Sequence, residues 1–295
     1  MSERAIIDLF NRPSRRARVG VGDDAAVMPD GQVLTTDTMV EGRHWDDTLS
    51  PADVGWKLVA VNASDLGAMG ARPAWAMLAI AIPDPPDLAW VAQFRDGLFE
   101  ALAAFDLELV GGDTVSAPTR TLTLSVGGYA ARGVLRSTAR VGDDVYVTGA
   151  LGLAAEGFLS HHPSPAALAA LRRPTPPTTF GVLLAEAGLP SAMMDLSDGL
   201  QSDLGTLCRA SGVGAVIRPE AIPGVPDLGW RVSFGEDYQL LFTAPPGARS
   251  AVESLSASAG VIATRIGEVV PGASPRLIGT PWPEPLFTHF PRSSC

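Results

Sequence analysis

SPADVGWKLVAVNASDLGAMGARP, running from Ser50 to Pro73, decides how the rest of the chain is organised. Ser50, Pro51 and Asp53 form a helix start: a side-chain cap, a proline at the first helical position and an acid near the positive end of the dipole. The spacing predicts a helix from Pro51 onward. Val54, Leu58, Val61 and Leu66 keep an apolar helical period, yet Leu58, Asn62, Asp65 and Met69 share one face, so an amide and a carboxylate interrupt the apolar stripe. An unpaired ionised carboxylate there costs on the order of several kcal/mol and must meet a base, a hydrogen-bond network or a cation. We read Asp65 as a metal ligand. On this stretch alone the alternative, an Asp capping a local turn before Gly67 and Gly70, is equally open.

The chain has 295 residues, 46% apolar and 18% charged, enough for one large or two medium packed domains. Its N-terminus, MSERAIIDLFNRPSRRARV, carries acids and lacks the apolar core of a signal peptide, and no window approaches about 18 uninterrupted apolar residues, so a cytoplasmic protein with no membrane partner is expected. Cys208 and Cys295 offer neither a disulfide framework nor a metal-knuckle spacing, and Cys208 is expected in the core. With a net charge of −10 and only Arg12, Arg15, Arg16 and Arg18 clustered, no nucleic-acid partner is expected. Lys57 is the only lysine beside 21 arginines, consistent with a compositional bias. Its isolation excludes the Gly-Lys-Ser/Thr phosphate loop and the kinase strand-lysine motif, so any nucleotide chemistry needs another scaffold.

Taken in order, RVGVGDDAAVM (Arg18 to Met28) is a glycine-rich approach to paired acids. Val33 to Met39 reads as a strand with Thr35, Thr36 and Asp37 at its end, followed by a loop holding Glu41, Gly42, Arg43 and His44. Ala74 to Ile82 is a second strand, Leu88 to Phe105 an amphipathic helix, Leu107 to Val110 a short strand entering Gly111, Gly112, Asp113 and Thr114, and Thr121 to Gly128 a partly exposed strand. The first half is therefore β-rich with crossover helices. Near Gly133 the character changes, and a boundary at about residue 135 divides the chain into 1–135 and 136–295. Asp143 and Asp144 read as structural turn residues. Leu151 to Leu171 is helical with a break at His161, His162 and Pro163, and both histidines are expected on the surface. In MMDLSDGLQSDLGTLCRASG, Asp195, Ser197 and Asp198 lie at a strand-to-helix turn, Gly199 permits close backbone approach, and the exposed amides of the helix start suit a phosphate. VSFGEDYQLLF sets Gly235, Glu236 and Asp237 before an apolar strand, and Val261 to Ile266 closes the fold.

The acids at these turns are Asp23, Asp24, Asp37, Asp65, Asp113, Asp195, Asp198, Glu236 and Asp237. Each alone is ordinary turn chemistry. If even half converge, their repulsion needs neutralising, and too few bases are interspersed near them to form salt bridges. Oxygen ligands without His or Cys clusters point to Mg²⁺, Mn²⁺ or Ca²⁺ rather than zinc, and Mg²⁺ is bound through carboxylates plus substrate phosphates. The residues alone thus reach a Mg²⁺-dependent nucleotide enzyme working by phosphoryl transfer.

GDDAAV, TTDTMVEGRH, VNASDLGAMGA, VGGDT, MDLSDGLQSDL and GEDYQLLFT, in this order, resemble the thiamine-monophosphate kinases of the aminoimidazole ribonucleotide synthetase superfamily, from about residue 20 to the C-terminus. The resemblance implies an α/β (α+β) fold with two domains. The N-terminal domain, 1–135, would bind ATP and Mg²⁺ and form a homodimer through its β-sheet or barrel; the C-terminal α/β domain would be 136–295. It implies ATP as co-substrate and several Mg²⁺ ions. Asp24, Thr35, Thr36, Asp37, Asp65, Asp113, Asp195 and Asp198 would be the metal ligands, and Gly112, Asp113, Arg136 and Ser197 would hold ATP. His44, Glu236 and Phe287 would contact thiamine monophosphate, with Trp282 close enough to Phe287 to compete for stacking on its ring. The implied reaction is direct transfer of the γ-phosphoryl group to an already ionised acceptor phosphate, with no side chain as catalyst.

Two sister families and one degenerate form compete with this reading. The hydrogenase-maturation carbamoyl dehydratases share GDDAAV and a C-terminal cysteine, as in PRSSC here, but carry DPTRGG-like and NEG-like segments where this chain has DLSDGL and GEDY. Selenophosphate synthetases need an N-terminal reactive cysteine or selenocysteine, and none is present. A non-catalytic nucleotide-binding relative would be expected to lose metal carboxylates, and the motifs retain them all.

Overall fold

The computed structural model describes residues 3–286, and the first domain begins with α1 (Glu3–Phe10), β1 (Ala26–Val27) and β2 (Gln32–Val40). The predicted central helix is α2 (Pro51–Ala68). Ser50 caps it by accepting from the Asp53 amide at 3.2 Å, with the proline in the first turn. β3 (Arg72–Ile82), α3 (Leu88–Ala104), β4 (Glu108–Ser116) and β5 (Thr121–Tyr129) complete the domain. Its sheet has the order β1-β2-β5-β3-β4, antiparallel except for the β3–β4 pair. Leu58, Leu66, Phe94, Leu98, Leu122 and Leu124 form its core between the α2–α3 pair and one sheet face.

β4 differs from its prediction. Instead of stopping at Val110 it continues through Gly111, Gly112 and Asp113 to Ser116, because parallel pairing with β3 sets Gly112 against Leu78 and Asp113 against Ala79. A Cβ at Gly112 would lie 1.8 Å from the Leu78 carbonyl oxygen, so the glycine expected in a turn instead permits close strand contact. Almost all of β4 is exposed along the sheet edge.

The second domain contains β6 (Asp144–Thr148), α4 (Leu153–Leu159), α5 (Pro165–Arg172), α6 (Thr178–Glu186), β7 (Ala192–Asp195), α7 (Leu200–Ser211), β8 (Gly214–Ile217), α8 (Leu228–Ser233), β9 (Leu240–Ala244), α9 (Arg249–Ala259), β10 (Ala263–Val270) and β11 (Pro275–Leu277). Its six strands run β11-β8-β10-β6-β9-β7. The predicted break between α4 and α5 is present, His161 and His162 are exposed, and Cys208 is buried with its thiol pushed up to about 11 by desolvation. Among the described residues no helix is long and apolar enough to cross a membrane.

α2 joins the two halves. Its residues Val54 to Ala68 are nearly all buried, polar Lys57, Asn62 and Ser64 included. The Ser64 hydroxyl donates to Asp195 Oδ2 at 2.6 Å, the Thr178 hydroxyl donates to the Ala63 carbonyl at 3.1 Å, and the Trp56 indole donates to the Pro174 carbonyl at 2.9 Å. Arg173 adds ion pairs to Asp53 at 2.6 Å and Glu100 at 2.8 Å, and lies over the Trp56 ring. A helix gripped in this way fixes the position of every side chain it carries between the domains.

Asp144, read as structural, opens β6 with its side chain only 2% exposed and accepts from Arg249 at 2.6 and 2.8 Å and Arg265 at 3.1 Å. Burial alone would raise its pKa, but the hydrogen bonds and charges of the two arginines together bring it below the usual carboxylate range. Its stabilising contribution is therefore complete above the ordinary aspartate pKa and lost as pH falls through the lowered one. Asp144→Asn is expected to cost about 1.5–3 kcal/mol at neutral pH, the range for hydrogen bonds to a charged group. The difference between variant and wild type should shrink on acidification, as chemical denaturation at a series of pH values would measure.

Candidate active site

Asp24, Asp65 and Asp195 come from three different elements: the approach to β1, the last turns of α2 and the end of β7. One carboxylate oxygen from each lies within 4.8 Å of the others. The Thr35 hydroxyl, on β2, donates to Asp65 Oδ2 at 2.6 Å, and Asn62 takes the Asp37 amide on its side-chain oxygen at 3.1 Å while giving its own N–H to the Leu58 carbonyl at 2.8 Å. Asn62 thus ties β2 to α2, and the period of the strand sends Thr35 and Asp37 to the α2 side. Thr36, between them, projects to the opposite sheet face, where its hydroxyl bonds the Leu124 carbonyl at 3.2 Å and Ser125 at 3.0 Å. Its side chain is therefore turned away from the three carboxylates with which the family resemblance grouped it.

Burial pushes Asp65 well above the usual carboxylate range, and the charges of Asp37, Asp195 and Asp24 push it further. Burial likewise raises Asp195, to about 6, against the hydrogen bond from Ser64. Asp24 is raised by burial despite the opposing charge of Arg136, whose guanidinium contacts Asp24 and lies 3.5 Å from Asp23. The other oxygen of Asp24, Oδ2, is buried without a hydrogen-bond partner. Three carboxylates this close, one with an orphaned oxygen, fit a hard divalent cation with oxygen ligands.

Asp65 and Asp195 open onto a cavity of about 600 Å³. Asp37, Asp65, Asp195, Ser197 and Asp198 line it, as do Glu236, Lys57, His44, Trp45, Phe158 and Phe234. The turn carrying Asp195 to Asp198 interlocks with the turn carrying Glu236. The Glu236 amide donates to the Ser197 carbonyl and the Tyr238 amide to the Leu196 carbonyl, both at 2.8 Å, and a Cβ at Gly235 would meet Ser197 O at 2.3 Å. Glu236 and Tyr238 accept positive φ values of 62° and 47° to complete this turn, backbone strain of a kind held in place only by surrounding structure. The helix start expected to suit a phosphate is partly filled from within, since Asp203 in the first turn of α7 accepts from the Asp198 amide at 3.1 Å.

Of the residues singled out from sequence, Asp24, Thr35, Asp65, Asp195 and Arg136 converge, and Asp37, Asp198, Ser197, His44 and Glu236 share the cavity. His44 accepts the Val40 amide on Nδ1 at 3.0 Å, an arrangement that requires that nitrogen to be unprotonated. Gly112 and Asp113 stand apart on exposed β4, where Asp113 accepts from the Thr114 amide at 2.8 Å. Trp282 packs on the second-domain core, donates to the Pro275 carbonyl at 3.1 Å and does not line the cavity. Phe287 lies outside the described residues. Sequence reasoning missed Lys57, Phe158, Phe234 and Ser64. A lone lysine in an apolar helical stripe was a usable signal, whereas nothing local marks two phenylalanines far apart in sequence as neighbours.

Comparison with known proteins matches the AIR synthase related protein N-terminal domain to residues 22–131 and its C-terminal domain to residues 140–280. The thiamine-monophosphate kinase of Salmonella typhimurium strain LT2 is 41% identical over 279 residues, covering 85% of this chain and 83% of that protein. That of Escherichia coli strain K12 is 39% identical, over 85% and 84%. The chain belongs to the thiamine-monophosphate kinase family. Within the family, the crystal structure from Stenotrophomonas maltophilia K279a is 32% identical with a TM-score of 0.79, covering 95% of this chain and 96% of that one. AaThiL complexed with AMPPCP and TMP is 30% identical with a TM-score of 0.86, covering 98% and 97%. The expected two-domain α/β fold is thus that of thiamine-monophosphate kinases. The HypE–HypF complex, at 19% identity and a TM-score of 0.74, shares the fold alone.

Asp65→Asn removes one of the three crowded charges while keeping a side chain that can meet Thr35. In EDTA the variant is expected to melt about 2–4 °C above wild type, the shift for about 1 kcal/mol of relieved repulsion, and its melting temperature should respond less to added Mg²⁺ than that of wild type. Thermal melts with and without Mg²⁺ measure both effects.

Proposed function

We propose that the chain transfers the γ-phosphoryl group of ATP directly to the phosphate of thiamine monophosphate, giving ADP and thiamine diphosphate. The observation that carries this reading is the Asp24–Asp65–Asp195 group, with its orphaned buried oxygen, whose Asp65 and Asp195 line a cavity large enough for a small organic phosphate, in a chain 41% identical to a thiamine-monophosphate kinase. The complex of its relative AaThiL with AMPPCP and TMP supports the same pair of substrates. The bond between the γ-phosphorus and its bridging oxygen breaks as a bond to an acceptor phosphate oxygen forms. The acceptor is already ionised, so no general base is required and no phosphoenzyme is part of the reading.

Asp24, Asp65 and Asp195, supported by Asp37, Asp198 and the Thr35 hydroxyl, would hold Mg²⁺, which when bound cancels the repulsion between donor and acceptor phosphates. Arg136, paired with Asp24, and Ser197, on the cavity wall, would orient ATP. The assignment of Gly112, Asp113 and Thr36 to nucleotide and metal rests on the family resemblance, as does that of Phe287 to the acceptor. His44 and Glu236 would hold the acceptor, with Phe158 and Phe234, whose ring centroids are 5.7 Å apart, giving its ring an aromatic wall.

A homodimer is part of this proposal. The first-domain sheet is covered by α2 and α3 on one face. Met77, Val110, Val115 and Tyr129 are 47–58% exposed elsewhere on its strands, and edge strand β4 presents unpaired backbone groups. Val110→Asp is expected to shift the protein toward monomer in analytical ultracentrifugation.

The test of the reaction is an assay with ATP and thiamine monophosphate, with and without Mg²⁺, following both products. Equal amounts of ADP and thiamine diphosphate, formed only with the metal, are expected; ADP without thiamine diphosphate would refute the acceptor. Phe158→Ala should raise the KM for thiamine monophosphate about 10-fold, or about 1.4 kcal/mol, and leave that for ATP unchanged.

A further inference from the structure

Lys57, Val61 and Asp65 follow one another at four-residue spacing on one face of α2, and all three line the cavity. At 1.5 Å rise per residue this wall sets Lys57 about 12 Å along the helix axis from Asp65. A phosphate ester whose phosphate sits at the Asp65 end therefore carries its organic part toward Lys57.

What waits there is a pair of opposite charges contributed by the two domains. Lys57 is 2% exposed, and its ammonium contacts Glu236 Oε2; Glu236 Oε1 accepts from the Tyr238 hydroxyl at 3.3 Å. An ammonium has three N–H donors, and among the described residues Glu236 is its one hydrogen-bond acceptor. A desolvated cation with donors unspent is costly, so a ligand offering an acceptor at this point is favoured. Glu236 keeps its side chain 29% exposed, leaving carboxylate surface for a donor. The wall thus presents a donor beside an acceptor, in a cavity that the Phe158 and Phe234 rings also line.

The complementary chemistry is an aromatic ring nitrogen beside an exocyclic amine, the amidine edge of an aminopyrimidine. We propose that Lys57 and Glu236 together select the acceptor by this edge, Lys57 donating to the ring nitrogen and Glu236 accepting from the amine. This rests on the reading of the cavity as the thiamine-monophosphate site and adds Lys57 to it as a specificity-determining residue. It also explains why one lysine, in a chain that otherwise uses arginine, is buried at this position: a compact ammonium fits beside a carboxylate where a planar guanidinium would fill the space meant for the ring.

The test compares thiamine monophosphate with oxythiamine monophosphate, in which an oxo group replaces the amine and the neighbouring ring nitrogen carries a proton, so that donor and acceptor change places. Wild type should favour thiamine monophosphate by about 100-fold or more in kcat/KM, since the inverted edge sets donor on donor and acceptor on acceptor. Lys57→Gln alone leaves Glu236 without its counter-charge and can lose stability, so the decisive variant is K57Q/E236Q, neutral at both positions and able to pair amide to amide. It should discriminate by less than about 10-fold, because amide side chains offer both donor and acceptor. Calorimetric binding of both acceptors, with Mg²⁺ and a non-hydrolysable ATP analogue, gives the same ratio independently of turnover, and the KM for ATP should stay at its wild-type value. A ratio unchanged in the double variant, an equal loss of both acceptors, or a wild type that does not discriminate would each overturn the proposal while leaving the kinase reading standing. Absence of thiamine monophosphate turnover in wild type would instead remove that reading and this inference with it.

Discussion

Three carboxylates held within 4.8 Å in a largely buried space is the constraint on which the rest of the structure depends. Without a cation, burial raises the cost of ionising all three, and like charges within and around the group raise it further. No single strand or helix carries this arrangement. It exists because β2 and α2 of the first domain meet β7 of the second, and the hydrogen bond from Ser64 to Asp195 crosses that junction at the group itself. Assembling the two domains and assembling the charged site are therefore one event, and the energy of the site is part of the energy of the interface.

α2 is the element that makes such an interface tolerable. A helix buried on nearly every side usually carries only apolar residues, but here Lys57, Asn62 and Ser64 are buried and each has a defined partner. Asn62 positions β2, Ser64 positions β7 and Lys57 meets the turn before β9. The neighbouring apolar positions supply the packing that over-determines these polar contacts. The strained turn at Glu236 and Tyr238 is held by the same surroundings: its amides are bonded to the 196–197 segment, and its side chains reach a helix that cannot shift.

Much of this was legible because the deciding signals are local. Ser50-Pro51 fixes the start of α2, and Val33 to Met39 reads as the strand that the structure extends to Gln32–Val40. What was not legible needed the partner strand or the other domain. The glycines of β4 look like a turn until β3 lies beside them. Thr36 joined the metal ligands through the family resemblance, and the pleat of the strand turns its side chain to the opposite face. Lys57 looked like compositional residue bias because its partner is Glu236, 179 positions away. Phe158 and Phe234 lie on α4 and just after α8, and only the folded second domain brings their rings together.

Arg136 shows how the site is balanced in the protein alone. Its guanidinium serves Asp23 and Asp24 from inside the junction and neutralises one oxygen of Asp24, but the other oxygen and the Asp65 and Asp195 carboxylates keep their mutual repulsion. A planar, permanently charged group cannot satisfy three carboxylates that converge on one point, whereas a small divalent ion can. The arginine therefore complements rather than replaces a metal: it reduces the repulsion enough for the chain to fold around the site and leaves an excess of negative charge that a metal would compensate. That remaining imbalance is also what would make anionic substrates dependent on metal, because phosphates approaching an uncompensated acidic cavity are repelled by the residues that line it.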